Sequence, residues 1–337
     1  MTKLVALAVL AALLAAPSLA RAAPPPIGIV AAENFYGDVA SQIGGKDVTV
    51  SSILSNPDQD PHLFEVSPSV GREVSAARIV IYNGIGYDPW MAGLLGSAGG
   101  HRRSTIVVAD LIGRKAGANP HIWYDPRTMP ALAAALARTL IAIDPTHKPG
   151  YERRLARFIA AMRPIAARIA TLRRRLAGTP VTATEPIFGY MFAALGMRVR
   201  NRSFQLAVMN NTEPSAAAVA AFERDLRTHR VRLLIYNSQV TNPVADRMER
   251  IARDAHIPIV GASETEPPGT DYQGWMLSEL DAVARALPRA SPRRTGRTSP
   301  RRDAATGVLP APALWPCLVP PRQNSEYPPS ITKLSPV

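Results

Sequence analysis

"GYERRLARFIAAMRPIAARIATLRRRLAG", residues 150–178, separates two sets of short β-rich runs and decides how the rest of the chain is read. Leu155, Ile159, Met162, Ile165, Ile169 and Leu172 recur every three or four residues, the period of an amphipathic helix, and Pro164 predicts a kink within it. A helix of that length between two folded units is a stiff rod rather than a loose tether, so the units are expected to move little against each other.

Upstream, "IGIVAA" (27–32), "VTVSSIL" (48–54), "RIVIYN" (78–83) and "TIVVAD" (105–110) read as strands. Downstream, "PVTAT" (180–184), "MRVRN" (197–201), "VRLLIYN" (231–237) and "IPIVGA" (257–262) form a second set. Helical patterns lie between them. Ser67-Pro68, Asp88-Pro89 and Asp125-Pro126 each place a capping residue before a proline at the first helical position. Strand–helix alternation predicts an α/β fold of two lobes, each a small, mostly parallel sheet covered by helices. The expected boundaries are an N-terminal lobe over 24–145, a linker helix over 146–178 and a C-terminal lobe over 179–287.

The ends differ from the body. Met1-Thr2-Lys3, the apolar run Leu4 to Ala16 and an A-x-A site at Ala20-Arg21-Ala22 read as a signal peptide over 1–23, predicting an exported, periplasmic protein. No cysteine follows that site, so a lipid anchor is not indicated. The single cysteine, Cys317, excludes a disulfide framework or a cysteine-rich metal cluster. From Pro288 to Val337 the chain has eleven prolines and no apolar periodicity, the texture of a disordered extension. That tail holds eight basic residues against Asp303 and Glu326, and Lys3 and Arg21 add two more. The body therefore carries about +5 of the net +13, and with no basic stripe interleaved with aromatics, nucleic-acid binding is not expected.

Two phrases carry the chemistry. "NPDQDPHLFEVSP" (56–68) and "NPHIWYDP" (119–126) each set a histidine behind a proline, in a chain with only six histidines. Ligands of parallel α/β sheets bind at loops beyond the carboxyl ends of strands. His62 and His121 follow strands of the first set; Glu185 follows "VTAT" directly and Glu264 follows "IPIVGAS". Two imidazoles from one lobe and two carboxylates from the other suit a divalent transition metal held between lobes. Glu65 and Asp125 are near enough in sequence to accept from the histidines, although Asp125 is also placed to cap a helix. Phe64 and Trp123 are candidates to wall the site from water. Asn237, Ser238 and Gln239 are candidates to line the cleft, with turn and packing roles equally open. His101, His147, His229 and His256 have no spaced partners and read as solvated or capping residues. Gly84 and Gly86 lack the third glycine of a dinucleotide fingerprint.

The phrase running from Asn56 to Met91, followed by "NPHIWYDP", closely resembles the metal-binding solute receptors of bacterial zinc and manganese ABC transporters, over about 27–287. The resemblance implies two lobes joined by one rigid helix with the metal between them, and matches His62 and His121 to the first two ligands. It departs at Glu185, in "TATEPIFGYM", where many zinc-type members have histidine. A glutamate there resembles the manganese-type members and hardens the donor set toward manganese or ferrous iron, with zinc still able to bind. For the fourth ligand Glu264 is favoured over Glu266 and Asp271, the latter expected to cap the helix beginning near Tyr272. No histidine-rich acidic loop is present. The implied role is capture of zinc or manganese and delivery to a membrane permease by a monomeric, non-enzymatic protein. A metal-dependent hydrolase using the same groups and a surface adhesin are the alternatives. No HExxH helix or phosphate-binding loop supports the enzyme.

Overall fold

The computed structural model describes residues 25–57, 64–97 and 103–288. The expected signal peptide, residues 58–63 with His62, and the chain beyond Pro288 lie outside them, as does His101. In the first lobe the order is β1 (Ile27–Glu33), α1 (Asn34–Gly44), β2 (Val48–Leu54), α2 (Pro68–Ala76), β3 (Ile79–Tyr82), α3 (Pro89–Ser97), β4 (Ser104–Val107), α4 (Val108–Leu111) and α5 (Thr128–Ile143). Helices α6 (Lys148–Ala161) and α7 (Arg163–Leu176) lead to the second lobe. There follow β5 (Pro180–Ala183), α8 (Gly189–Ala194), β6 (Arg198–Val199), α9 (Arg202–Met209), α10 (Ala216–Arg227), β7 (Leu234–Asn237), α11 (Pro243–Asp254), β8 (Ile259–Ala262) and α12 (Tyr272–Ala286).

Each lobe is built on a four-stranded, wholly parallel sheet, in the orders β2-β1-β3-β4 and β6-β5-β7-β8. Parallel sheets covered on both faces need strands apolar on both sides. Ile79, Val80 and Ile81 are accordingly all buried. In both sheets the winding reverses direction beside the first strand of the lobe, between β1 and β3 and between β5 and β7. Such switch points leave a crevice at the carboxyl ends of the strands.

Six strands are shorter than the sequence predicts, and for two of them the cause is plain. "TIVVAD" leaves the sheet after Val107, and Val108 and Ala109 turn into α4 and stay buried. A short apolar run has no periodicity that separates a strand from a buried helical turn. "MRVRN" pairs only at Arg198 and Val199, because Asn201 adopts a left-handed backbone (φ 59°) that ends it.

The helix between lobes is two segments meeting at Met162, not one rod. Pro164 has no amide to offer the Ala160 carbonyl, yet the path stays helical through bonds from Met162 to Phe158 (3.1 Å) and from Ala166 to Met162 (3.3 Å). The buried seam is Tyr151, Phe158, Met162, Ile165, Ile169, Leu172 and Leu176. Ile159, expected on the seam, is exposed because the larger Phe158 takes the inward position.

One continuous hydrophobic core runs through both lobes. Its centre is aromatic: Phe35 packs on Trp123 (4.9 Å between centroids) and on Trp275 (5.9 Å), and Tyr124 packs on Phe188 (4.9 Å) and Trp275 (5.7 Å). Hydrogen bonds cross the same boundary, from the Tyr124 hydroxyl to the Ser263 carbonyl (2.9 Å) and from the Tyr272 hydroxyl to the Trp123 carbonyl (2.7 Å). Gln42 and Gln273 exchange amide hydrogen bonds at 2.9 and 3.0 Å. The lobes are therefore joined by packing across their interface as well as by the helices. Phe35→Ala removes a ring at the middle of this stack and should cost about 3–5 kcal/mol of unfolding free energy, measured by denaturant titration.

Glu279, on α12, is buried beside Trp275, whose indole N–H donates to it at 3.3 Å. Burial pushes its carboxyl up to about 7, outweighing the hydrogen bonds it accepts. A carboxyl easier to protonate in the folded state stabilises the fold below its ordinary range near 4.5, and that contribution is lost as pH rises through about 7. Glu279→Gln should abolish this loss. The pH-dependent part of the gap between variant and wild type should change by on the order of 3 kcal/mol between about pH 4 and 8.

Candidate metal centre

His121 follows the loop that leaves α4, at the start of a helical turn over Ile122–Tyr124. Its backbone N–H donates to Asn119 Oδ1 (3.1 Å), and its ring Nδ1 lies 2.6 Å from the same oxygen. The Asn119 amide has its orientation set elsewhere, since Nδ2 donates to the Pro186 carbonyl at 2.7 Å. Oδ1 must then accept, so His121 carries its proton on Nδ1 and presents the Nε2 lone pair. The Tyr190 hydroxyl donates to the Asn119 carbonyl (2.8 Å), a second tie to the other lobe. Behind the loop, the Asn83 amide donates to the Pro120 carbonyl (3.0 Å) and accepts from the Tyr36 hydroxyl (2.6 Å).

Glu185 emerges from the end of β5 in extended conformation, just before the turn at Pro186–Phe188. Glu264 follows β8. Its backbone N–H donates to Gln239 Oε1 at 2.6 Å. Its Oε1 accepts from Asn237 Nδ2 (2.5 Å) and its Oε2 from the Tyr87 hydroxyl (2.7 Å). His121 Nε2 stands 3.6 Å from Glu264 Oε1. His121, Glu185 and Glu264 each offer a ligand atom, all within 4.8 Å of one another, and all three side chains are buried. Two carboxylates this close in a dry interior repel each other. A divalent cation among them would neutralise both charges, and an imidazole with its lone pair turned inward completes a donor set for such an ion.

Other expectations fare differently. Glu65 is exposed on the approach to α2, where its carboxylate keeps its hydration, and among the described residues no hydrogen bond joins it to this centre. Phe64 stacks on Trp90 (4.7 Å), whereas Trp123 lies edge-on to His121 (5.2 Å) and Tyr87 (4.9 Å), walling the site. Asp125 neither touches His121 nor caps α5. It accepts from Arg127 Nη2 (2.7 Å), Arg127 Nε (3.0 Å) and Arg114 Nη2 (3.0 Å), because two guanidiniums within reach outcompete an imidazole already held by Asn119. Burial alone would raise the Asp125 carboxyl, but these arginines hold it below its ordinary range.

Asp88, expected to cap α3, instead accepts from the amides of Asn83 (2.6 Å) and Gly84 (2.9 Å), closing the turn that delivers Tyr87. Gly84 is needed there, with φ at +79° and room for no side chain: a Cβ would sit 2.7 Å from Val107 Cγ1. Ser67 caps α2 and Asp271 caps α12, through bonds from Val70 (3.4 Å) and Gly274 (2.7 Å). Glu266 belongs to the contact between lobes, where its backbone exchanges hydrogen bonds with the Asn34 side chain at 2.7 and 2.9 Å. Asn119 and Tyr87 were missed from sequence. Asn119 had a usable signal, an amide two residues before a histidine in the repeated phrase; Tyr87 reaches Glu264 only through tertiary folding.

Two α/β lobes with acids and an imidazole converging between them define a receptor-like architecture, and solved structures share the two-lobed fold. The periplasmic zinc binding protein TroA from Treponema pallidum superposes with a TM-score of 0.67 at 18% identity, over 79% of this chain and 100% of that one. A ZnuA crystal structure gives 0.62 at 20% identity, over 77% and 97%. Among relatives by sequence, the iron ABC transporter substrate-binding lipoprotein MtsA of Streptococcus pyogenes serotype M1 is 24% identical over 282 residues, 77% of this chain and 88% of that protein. The manganese ABC transporter substrate-binding lipoprotein PsaA of Streptococcus pneumoniae serotype 4 is 24% identical over 281 residues, with the same coverage. Residues 29–286 match the family described as zinc-uptake complex component A, periplasmic, and the chain belongs to that family.

If Asn119 sets the tautomer and aim of His121, Asn119→Ala should weaken divalent-metal binding roughly 10- to 100-fold without changing the circular dichroism spectrum. Calorimetric titration of metal into the variant measures the loss.

Proposed function

We propose that this protein captures a divalent transition metal between its lobes and delivers it to the membrane permease of an ABC transporter. The observation that carries this reading is the convergence of His121 from the first lobe with Glu185 and Glu264 from the second. His62, at the repeated proline–histidine phrase, is proposed as the fourth ligand. Family membership supports the transport role, since substrate-binding receptors of this kind present cargo to a permease rather than transform it. Around zinc, four protein ligands would fill the tetrahedral shell and leave no position for a reactive water, which argues for capture over catalysis. The signal-like N-terminal sequence supports export to the periplasm, the continuous core supports a chain that works as one body, and a monomer is proposed.

The cargo is zinc or manganese. Glu185 in place of an imidazole hardens the donor set toward manganese or ferrous iron. Because core packing and hydrogen bonds hold the lobes, release is proposed to come from docking, which would pull ligands of opposite lobes apart.

Titration of zinc and of manganese into metal-free protein tests the proposal. The wild-type protein should bind one equivalent, and His121→Ala should lose that binding while its thermal unfolding in the absence of metal stays cooperative. Unchanged affinity in His121→Ala would remove the assignment. In the same assay Glu185→His should move selectivity toward zinc.

A further inference from the structure

Glu264 is gripped at both carboxylate oxygens. The Tyr87 hydroxyl donates to Oε2 at 2.7 Å and Asn237 Nδ2 donates to Oε1 at 2.5 Å. Neither donor is adaptable. The Asn237 amide cannot turn over without loss, because its Oδ1 accepts from the Gln239 backbone N–H at 3.0 Å. Tyr87 sits on the turn closed by Asp88, and its ring packs at 4.9 Å on Trp123. The Glu264 backbone is fixed as well, since Gln239 Oε1 accepts from both its N–H (2.6 Å) and that of Thr265 (2.9 Å). Oε1 stands 3.6 Å from His121 Nε2. Oε2 points to a phenol contributed by the opposite lobe.

We propose that Tyr87, with Asn237, is a specificity-determining pair that restricts Glu264 to one-oxygen coordination of the cargo metal. This inference rests on the metal-capture reading above. A carboxylate held by two donors has part of its charge drawn off and its second oxygen engaged, so it acts as a single, directional ligand. One-oxygen coordination keeps the shell near four ligands, the number that zinc favours. Manganese favours six, built largely from oxygens, and gains when carboxylates bind through both oxygens. The clamp therefore opposes the effect of Glu185: one residue hardens the donor set, and the pair holds down the coordination number. Because Tyr87 lies in the first lobe and Glu264 in the second, the restriction exists only while the lobes are together.

Tyr87→Phe tests this, since the ring and its packing on Trp123 are kept and only the donor is lost. Competition titrations of zinc against manganese should show the zinc-to-manganese affinity ratio falling roughly tenfold relative to wild type. X-ray absorption of the manganese-loaded variant should show more oxygen neighbours than the wild-type complex. Asn237→Ala loosens Oε1 but leaves Oε2 bonded to Tyr87, so it should shift the ratio less than Tyr87→Phe does. An unchanged ratio with an unchanged coordination number in Tyr87→Phe would overturn the proposal, as would an equal loss of affinity for both metals, which marks a merely structural hydroxyl. If wild-type protein binds neither metal, the capture reading itself fails, and that outcome is distinct from both.

Discussion

Two carboxylates buried beside an imidazole repel each other unless something positive stands among them, and the fold is arranged to bear that strain. Glu185 and Glu264 leave the ends of β5 and β8, so their backbones are held by sheet and turn before their side chains meet. Donors then approach from the sides. Tyr87 and Asn237 each donate a hydrogen bond to Glu264, and Asn119 accepts one from His121. Burial, and next the charge of Glu264, push the Tyr87 hydroxyl well above its ordinary range, so it stays a donor. Pre-placed dipoles of this kind lower the cost of holding acids in a dry interior, but they leave the net charge for an ion to cancel.

The same contacts tie the site to the rest of the molecule. Asn119 joins the His121 loop to Pro186, the residue after Glu185, so the segments carrying these two side chains, one from each lobe, are bonded together. The aromatic stack of Phe35, Trp123, Tyr124 and Trp275 lies directly behind, continuous with the cores of both sheets. Opening the cleft would break hydrogen bonds and separate packed rings together. That coupling is what a receptor needs if cargo is to be held tightly in solution and surrendered only on contact with a partner.

Much of the architecture was readable from periodicity. All eight strands were located, because buried parallel strands are short apolar runs bounded by helix starts. The linker pattern was legible too, although its seam followed Phe158 rather than Ile159: side-chain size, not apolar character alone, decides which residue turns inward. Two acids and a histidine were legible from their positions at strand ends. What escaped was the layer of hydrogen bonds around them. Asp88 and Asp125 each precede a proline and look like caps, yet one closes a turn and the other pairs with arginines that folding brings alongside. Local spacing names the residues able to cap or accept, and tertiary competition decides which partner each receives.

The account depends on one cation bridging side chains from both halves of the chain. Anomalous diffraction at the zinc and manganese absorption edges from metal-loaded crystals addresses it most directly. A single strong peak about 2.0–2.2 Å from His121 Nε2 and from an oxygen of both Glu185 and Glu264 is predicted. A peak bound by groups of one lobe alone, or these three side chains turned away from it, would contradict the account.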